Sequence, residues 1–145
     1  MAAGAWTIYN EFKLTLGKKA MDLINDAFKV SLLTSSSNAG SASLTTAQYA
    51  TLTNELTTAN GYTAGGTSVT PSWTASSGTM TFDTTDASWT ASGGSIVARF
   101  AVLYDNTSTN KDLVAYCLLD STPADVTTST GNSLTIQITN VFTLA

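Results

Sequence analysis

The 145-residue chain predicts a mainly β fold, an antiparallel β-sandwich of jelly-roll-like type, with one or two short helices in its N-terminal half. Three observations lead there. Hydroxyl side chains dominate, with 27 Thr and 17 Ser, and β-branched threonine sits well on a half-buried pleated surface. From position 67 onward, short strand-like runs follow one another with turn residues between them. Helical periodicity is confined to two short stretches. An immunoglobulin-like sandwich ranks second, because neither paired cysteines nor their intervening tryptophan is visible. The length suits one domain over 1–145, with 1–20 as an N-terminal arm or short helix.

The elements follow in order. Residues 6–17, WTIYNEFKLTLG, predict a short helix: Thr7 can cap it, Tyr9, Phe12 and Leu16 share one face, and Gly17 can end it. Their alternation is also partly strand-like. AMDLI and FKVSLLT read as two short strands joined by the turn pair Asn25-Asp26. SSSNAGSAS at 35–43 is a loop by composition. TTAQYATLTNEL predicts a second short helix or helical turn, with Tyr49, Leu52 and Leu56 as its apolar side. NGYTAGG at 60–66 is a loop whose three glycines imply positive φ angles or tight bends. It has no Walker or dinucleotide-binding pattern.

Strands are then expected at SVTPSWT, TMTFD, ASWT, SIVARFAVLYD, LVAYCLLD and SLTIQIT. Pro71 restricts its run to an edge position or a strand start. The run 96–104 is apolar on both faces and predicts a central strand covered on both sides, paired with 113–120 across DNTSTNKD. The C-terminal VFTLA is expected either to pack on a neighbour or to join the domain's own sheet.

Charge bounds the partners. Charged residues make up 11% of the chain, against about 25% in ordinary soluble proteins. Either hydroxyls supply the solubility or much of the surface is covered in an assembly. Residues 1–30 carry Lys13, Lys18, Lys19 and Lys29 against three acids, a net +1, whereas 31–145 carry a net −5. No basic stripe suits phosphates, so no nucleic acid is expected. No apolar run approaches the roughly 20 residues that span a bilayer, so no membrane partner is expected either. The start MAAGAWTIYNEF lacks the apolar stretch of a secretory leader, and synthesis in the cytosol is expected.

No residue pattern announces a reaction. Histidine is absent, which removes the commonest general base and the usual Ser-His and Cys-His pairs. Cys117, the single cysteine, lies in LVAYCLL as a buried small hydrophobe. Asp83 with Asp86 and Asp120 with Asp125 are weighed as Ca²⁺ ligands, but neither pair has EF-hand spacing and turn-stabilising roles are favoured. No catalytic residue, metal or cofactor is expected. Trp6, Trp73 and Trp89 suit either a sugar-stacking platform or core anchors. Trp89, Phe100, Tyr104 and Cys117 are assigned to the core. Trp6, Tyr9, Phe12, Lys13, Lys18 and Lys19 are assigned to a candidate interface, since a terminal arm is a natural place for an anchor.

SWTASSG at 72–78 returns as SWTASGG at 88–94. A repeat array needs at least three related units, and no third copy occurs. Both are read as strand ends, each with a tryptophan anchor followed by a small-residue turn.

WTIYNEFK (6–13), FKVSLLTSSSNA (28–39), NGYTAGG (60–66), SWTASGGSIVARFAVLYD (88–105) and YCLLDSTPADV (116–126) together resemble a family of small virion structural proteins of tailed bacteriophages. The similarity covers nearly the whole chain. It implies a virion component without catalytic motif, a head decoration or cement protein on the capsid surface. The partners it implies are the major capsid protein and further copies of the chain, as a homo-dimer or homo-trimer. Such a protein stabilises the shell by bridging subunits, and an interface of about 1,600 Å² per contact suffices. A tail or fibre-base protein and a carbohydrate- or receptor-binding module are the alternatives.

Overall fold

A computed structural model describes residues 3–145. The chain opens with the two-residue strand β1 (Thr7–Ile8) and the helix α1 (Asn10–Gly17). Strand β2 (Phe28–Leu33) follows, then a long segment whose one helical turn is a 3₁₀ turn at Tyr49–Thr51. Strands β3 (Thr67–Val69), β4 (Pro71–Ser76), β5 (Thr79–Thr84) and β6 (Ala87–Thr90) come next. After them run β7 (Ile96–Ala98), β8 (Phe100–Asp105) and β9 (Leu113–Leu118). The last three are β10 (Val126–Thr128), β11 (Ser133–Ile136) and β12 (Phe142–Leu144).

The centre is a five-stranded antiparallel sheet in the order β1-β9-β8-β2-β3. Its register sets buried side chains in rows. Leu32, Ala101 and Cys117 align on one face, with Val30, Leu103 and Ala115 in the next row. Leu33, Phe100 and Leu118 align on the other face, beside Ser31, Val102 and Tyr116. Both faces of the middle strands are covered, which is why these runs are nearly continuously apolar.

Three smaller antiparallel ribbons pack around this sheet: β12-β5-β4, β11-β6 and β10-β7. An aromatic chain ties the first of them to the centre. Phe28 meets Phe82 edge-on at 5.5 Å, Phe82 meets Phe142 at 5.4 Å, and Phe142 meets Phe12 of α1 at 5.3 Å. The 34–66 segment covers the opposite face. Tyr49 stacks on Tyr104 at 4.6 Å, and Gly40 lies under the Phe100 ring so closely that a Cβ there would be 3.0 Å from it. The protein is mainly β and antiparallel, its layers sharing one buried cluster in a sandwich-like arrangement.

Several expectations are corrected. The helix starts at Asn10 instead of near Thr7, because Thr7 and Ile8 pair with Tyr116 and Ala115 at the sheet edge. AMDLI is a turn, since the Asp22 carboxylate captures the Ile24 and Asn25 amides and breaks any ladder. Of the two options for TTAQYATLTNEL the structure has the helical turn, a 3₁₀ turn at Tyr49–Thr51; the backbone around it bonds to neighbours, Tyr49 N–H to Lys111 C=O and Leu56 N–H to Leu32 C=O. The run 96–104 is two strands, divided at Arg99, so that β7 can pair with β10 while β8 stays central. VFTLA joins the domain's own sheet as β12. Residues 7–17 are not a detached arm, because β1 is in the sheet and Phe12 is in the core.

Candidate docking groove

The candidate interface residues divide. Tyr9 and Phe12 are fully buried, so they are core residues and present no surface. The Tyr9 hydroxyl donates to Ala39 C=O at 2.8 Å, and burial pushes its pKa far above the usual range. The helical face they share with Leu16 was legible in the sequence, but such a stripe points inward on a helix laid against a sheet. Trp6 is half-buried, while Lys13, Lys18 and Lys19 are exposed. Among the predicted core anchors, Trp89, Tyr104 and Cys117 are buried, whereas Phe100 is half-buried against Gly40.

What these elements leave open is a groove of about 490 Å³ between the C-terminal end of α1, the 19–26 turn and β4. Leu16, Met21, Leu23, Ile24 and Trp73 line its apolar part, and Lys19, Asp22 and Asp26 its polar part. Ile24 is 61% exposed, and Leu14, on the far side of α1 from Phe12, is 55% exposed. Trp73 is held from behind by Phe82 and Phe142, at 6.4 and 6.0 Å, which leaves it only half-buried.

The local folding of the turn explains why the groove stays open. Asp22 accepts from the Ile24 and Asn25 amides and the Asn25 side chain, and these bonds hold its carboxyl below the usual range. Its own N–H donates to Asp26 Oδ2 at 2.7 Å. The loop so formed turns Met21 and Leu23 inward and projects Ile24 outward.

Other chemistry-bearing groups have structural partners. Glu55 accepts from the Tyr62 hydroxyl at 2.6 Å, the Gly65 amide at 2.7 Å and the Tyr49 hydroxyl. Tyr104 donates to Gly65 C=O at 2.7 Å, and burial pushes its pKa up to about 12. This network staples the 49–65 segment to the sheet, and no sequence pattern identified it. Burial likewise pushes the Cys117 thiol up to about 12, which disfavours the nucleophilic thiolate. Asp83 and Asp86 accept from the Thr84 and Ile138 amides, Asp120 accepts from Thr122, and Asp125 pairs with Arg99 at 2.8 Å. Among the described residues no group of three or more metal-ligating side chains converges. The tryptophans form no platform: Trp89 is buried, and Trp6 and Trp73 line different cavities.

No family model, curated protein or solved structure matches the chain. No helix among the described residues is long and apolar enough to cross a membrane.

Proposed function

We propose that this protein is a non-enzymatic structural component that docks onto a larger protein assembly through the groove beside α1. The observation that carries this reading is the groove itself, an apolar concavity floored by a half-buried tryptophan and flanked by exposed Ile24. Exposed apolar concavities of this kind suit a partner's side chains, and aromatic residues are common anchors there. Lys19, Asp22 and Asp26 give the groove a polar edge, and Lys13 and Lys18 of the preceding segment are exposed.

The resemblance to small virion proteins of tailed bacteriophages supplies the assembly: a phage head, with this chain as a decoration protein bridging major capsid subunits from outside. The seven-residue connection 106–112 between β8 and β9 is short for the long hairpin of a tail tube protein. Mixing the purified protein with heads lacking it, followed by sedimentation and cryo-EM, tests the reading. Stoichiometric density on the outer head surface, with α1 and β4 at the contact, is expected. Density on the tail alone would sink the head placement, and no co-sedimentation would sink the docking reading.

A further inference from the structure

The groove holds a feature that apolar docking leaves unused. Asp26 lines it, and Asp105 lies behind Asp26 at the end of β8, fully buried. One Asp105 oxygen accepts from the Thr107 amide at 2.7 Å and the Ser108 amide at 3.2 Å. The other, Oδ2, is buried and has no hydrogen-bond partner. Two bonds clamp the loops that carry this pair. Asn106 N–H donates to Ala27 C=O at 2.7 Å, and Ala27 N–H donates to Thr107 Oγ1 at 2.7 Å. These bonds set residue 26 beside the turn that follows Asp105, and the Asp26 carboxyl acts on Asp105 from there.

No cation pairs directly with these acids, although Lys19 acts on Asp22 at longer range. Among the described residues the one ion pair is Arg99–Asp125, so no lysine or arginine lies within pairing distance of Asp22, Asp26 or Asp105. Lys19 lines the groove but stays outside that distance. On the neighbouring elements, Asp112 is occupied by the Ser108 hydroxyl, and Lys29 and Tyr104 belong to the sheet's other face. A buried carboxyl oxygen without a partner is costly unless a proton or a cation satisfies it. The groove walls Leu16, Met21, Leu23 and Trp73 fit an aliphatic stem and lead to Asp26, while Asp105 is not itself a wall of the groove.

We propose that the groove accepts a lysine or arginine side chain of the partner protein, its stem along Leu16 and Trp73 and its cationic head at Asp26, with Asp105 behind. When the groove is empty, Asp105 holds a proton at acidic pH in the cation's place. Burial foremost, and the Asp26 carboxyl after it, push the Asp105 pKa up to about 6. The proton-bound state of the empty groove is therefore favoured below that value and is lost as pH rises through it. A cation competes with this proton, so its binding strengthens as pH rises through about 6.

This inference rests on the docking reading only in making the partner a protein, and a small probe tests it separately. The full chain is titrated with n-butylguanidinium, and with n-butanol as the neutral control, while backbone and indole N–H signals are followed by NMR. Shifts are expected at the Trp73 indole and residues 19–26, with binding about tenfold tighter at pH 7.5 than at pH 5. Asp26→Asn keeps the acceptor for the Asp22 amide and should weaken binding at least about fivefold. Asp105→Asn keeps the acceptor for Thr107 and Ser108, and should retain binding while flattening its pH dependence. Equal binding of butanol, shifts elsewhere or none, or the same shifts from calcium chloride at lower concentration would overturn the proposal. Probe binding without co-sedimentation on heads would sink the docking reading alone, and the reverse result would sink this inference alone.

Discussion

SWTASSG at 72–78 and SWTASGG at 88–94 differ at one position, Ser77 against Gly93, yet one builds surface and the other builds core. In the first copy Trp73 is half-buried in β4, and the strand runs on to a hairpin turn at Ser77 and Gly78, both at positive φ. In the second, Trp89 is buried in β6 and the chain leaves the sheet by Ala91. The tryptophans themselves do not make the difference; the partners do. The NGY stretch at 60–62 grips the second copy: Gly61 sits against Thr90 C=O, Ser92 N–H donates to Asn60 C=O at 3.1 Å, and Tyr62 packs on Trp89 at 6.0 Å. The first copy has Phe82 and Phe142 behind its tryptophan and the open groove before it. One local solution thus serves two ends, according to whether another part of the chain closes over it.

Breaking the closed copy should have the largest effect. Trp89→Ala removes a buried indole and should cost about 3–5 kcal/mol, read as a lower midpoint in urea unfolding. Gly61→Ala attacks the same contact from the other side. Gly61 has φ +88, and a Cβ there would stand 2.0 Å from the Thr90 carbonyl oxygen. A loss of about 3 kcal/mol is expected, since both the backbone conformation and the close approach are refused. A loss below about 1 kcal/mol would mean that the grip at 60–62 does not hold Trp89 in place.

The open copy should respond differently. Trp73→Ala should cost only about 1–2 kcal/mol, in keeping with its partial burial, yet abolish head binding in the sedimentation assay. Stability and docking would then separate at Trp73 and fall together at Trp89. The smallest effect is expected from Ser77→Gly, which makes the two stretches identical in sequence. Ser77 has φ +49, and glycine there should stabilise the hairpin by up to about 1 kcal/mol while leaving Trp73 exposed. Burial of Trp73 in that variant would show that residue identity, and not the covering loop, decides the fate of each copy.

Local signals in the sequence carried much of this. The mainly β class followed from hydroxyl-rich, closely spaced strands. Pro71 begins β4, where its missing N–H does no harm, and all three loop glycines, Gly61, Gly65 and Gly66, have positive φ. The β8–β9 pairing and the burial of Trp89, Tyr104 and Cys117 were also readable, because long apolar runs leave few alternatives. The groove was not. Its walls come from 16–26 and from Trp73, brought together only when the Phe12–Phe142–Phe82 chain locks α1 against the β5 ribbon. Asp105 opens the turn-rich stretch DNTSTNKD, where no local pattern marks it as buried, and the clamp between Ala27 and residues 106–107 packs beside it. Tyr9 and Phe12 lie near the terminus, where an interface anchor is natural, but the apolar stripe they share with Leu16 marks the core.

Hydroxyl-radical footprinting of the protein, free and bound to phage heads, tests the central claim most directly. The account predicts that Trp73 and Ile24 are oxidised in the free protein and protected on the particle, while Trp89 stays unreactive in both. A Trp73 that reacts equally in both states would contradict it.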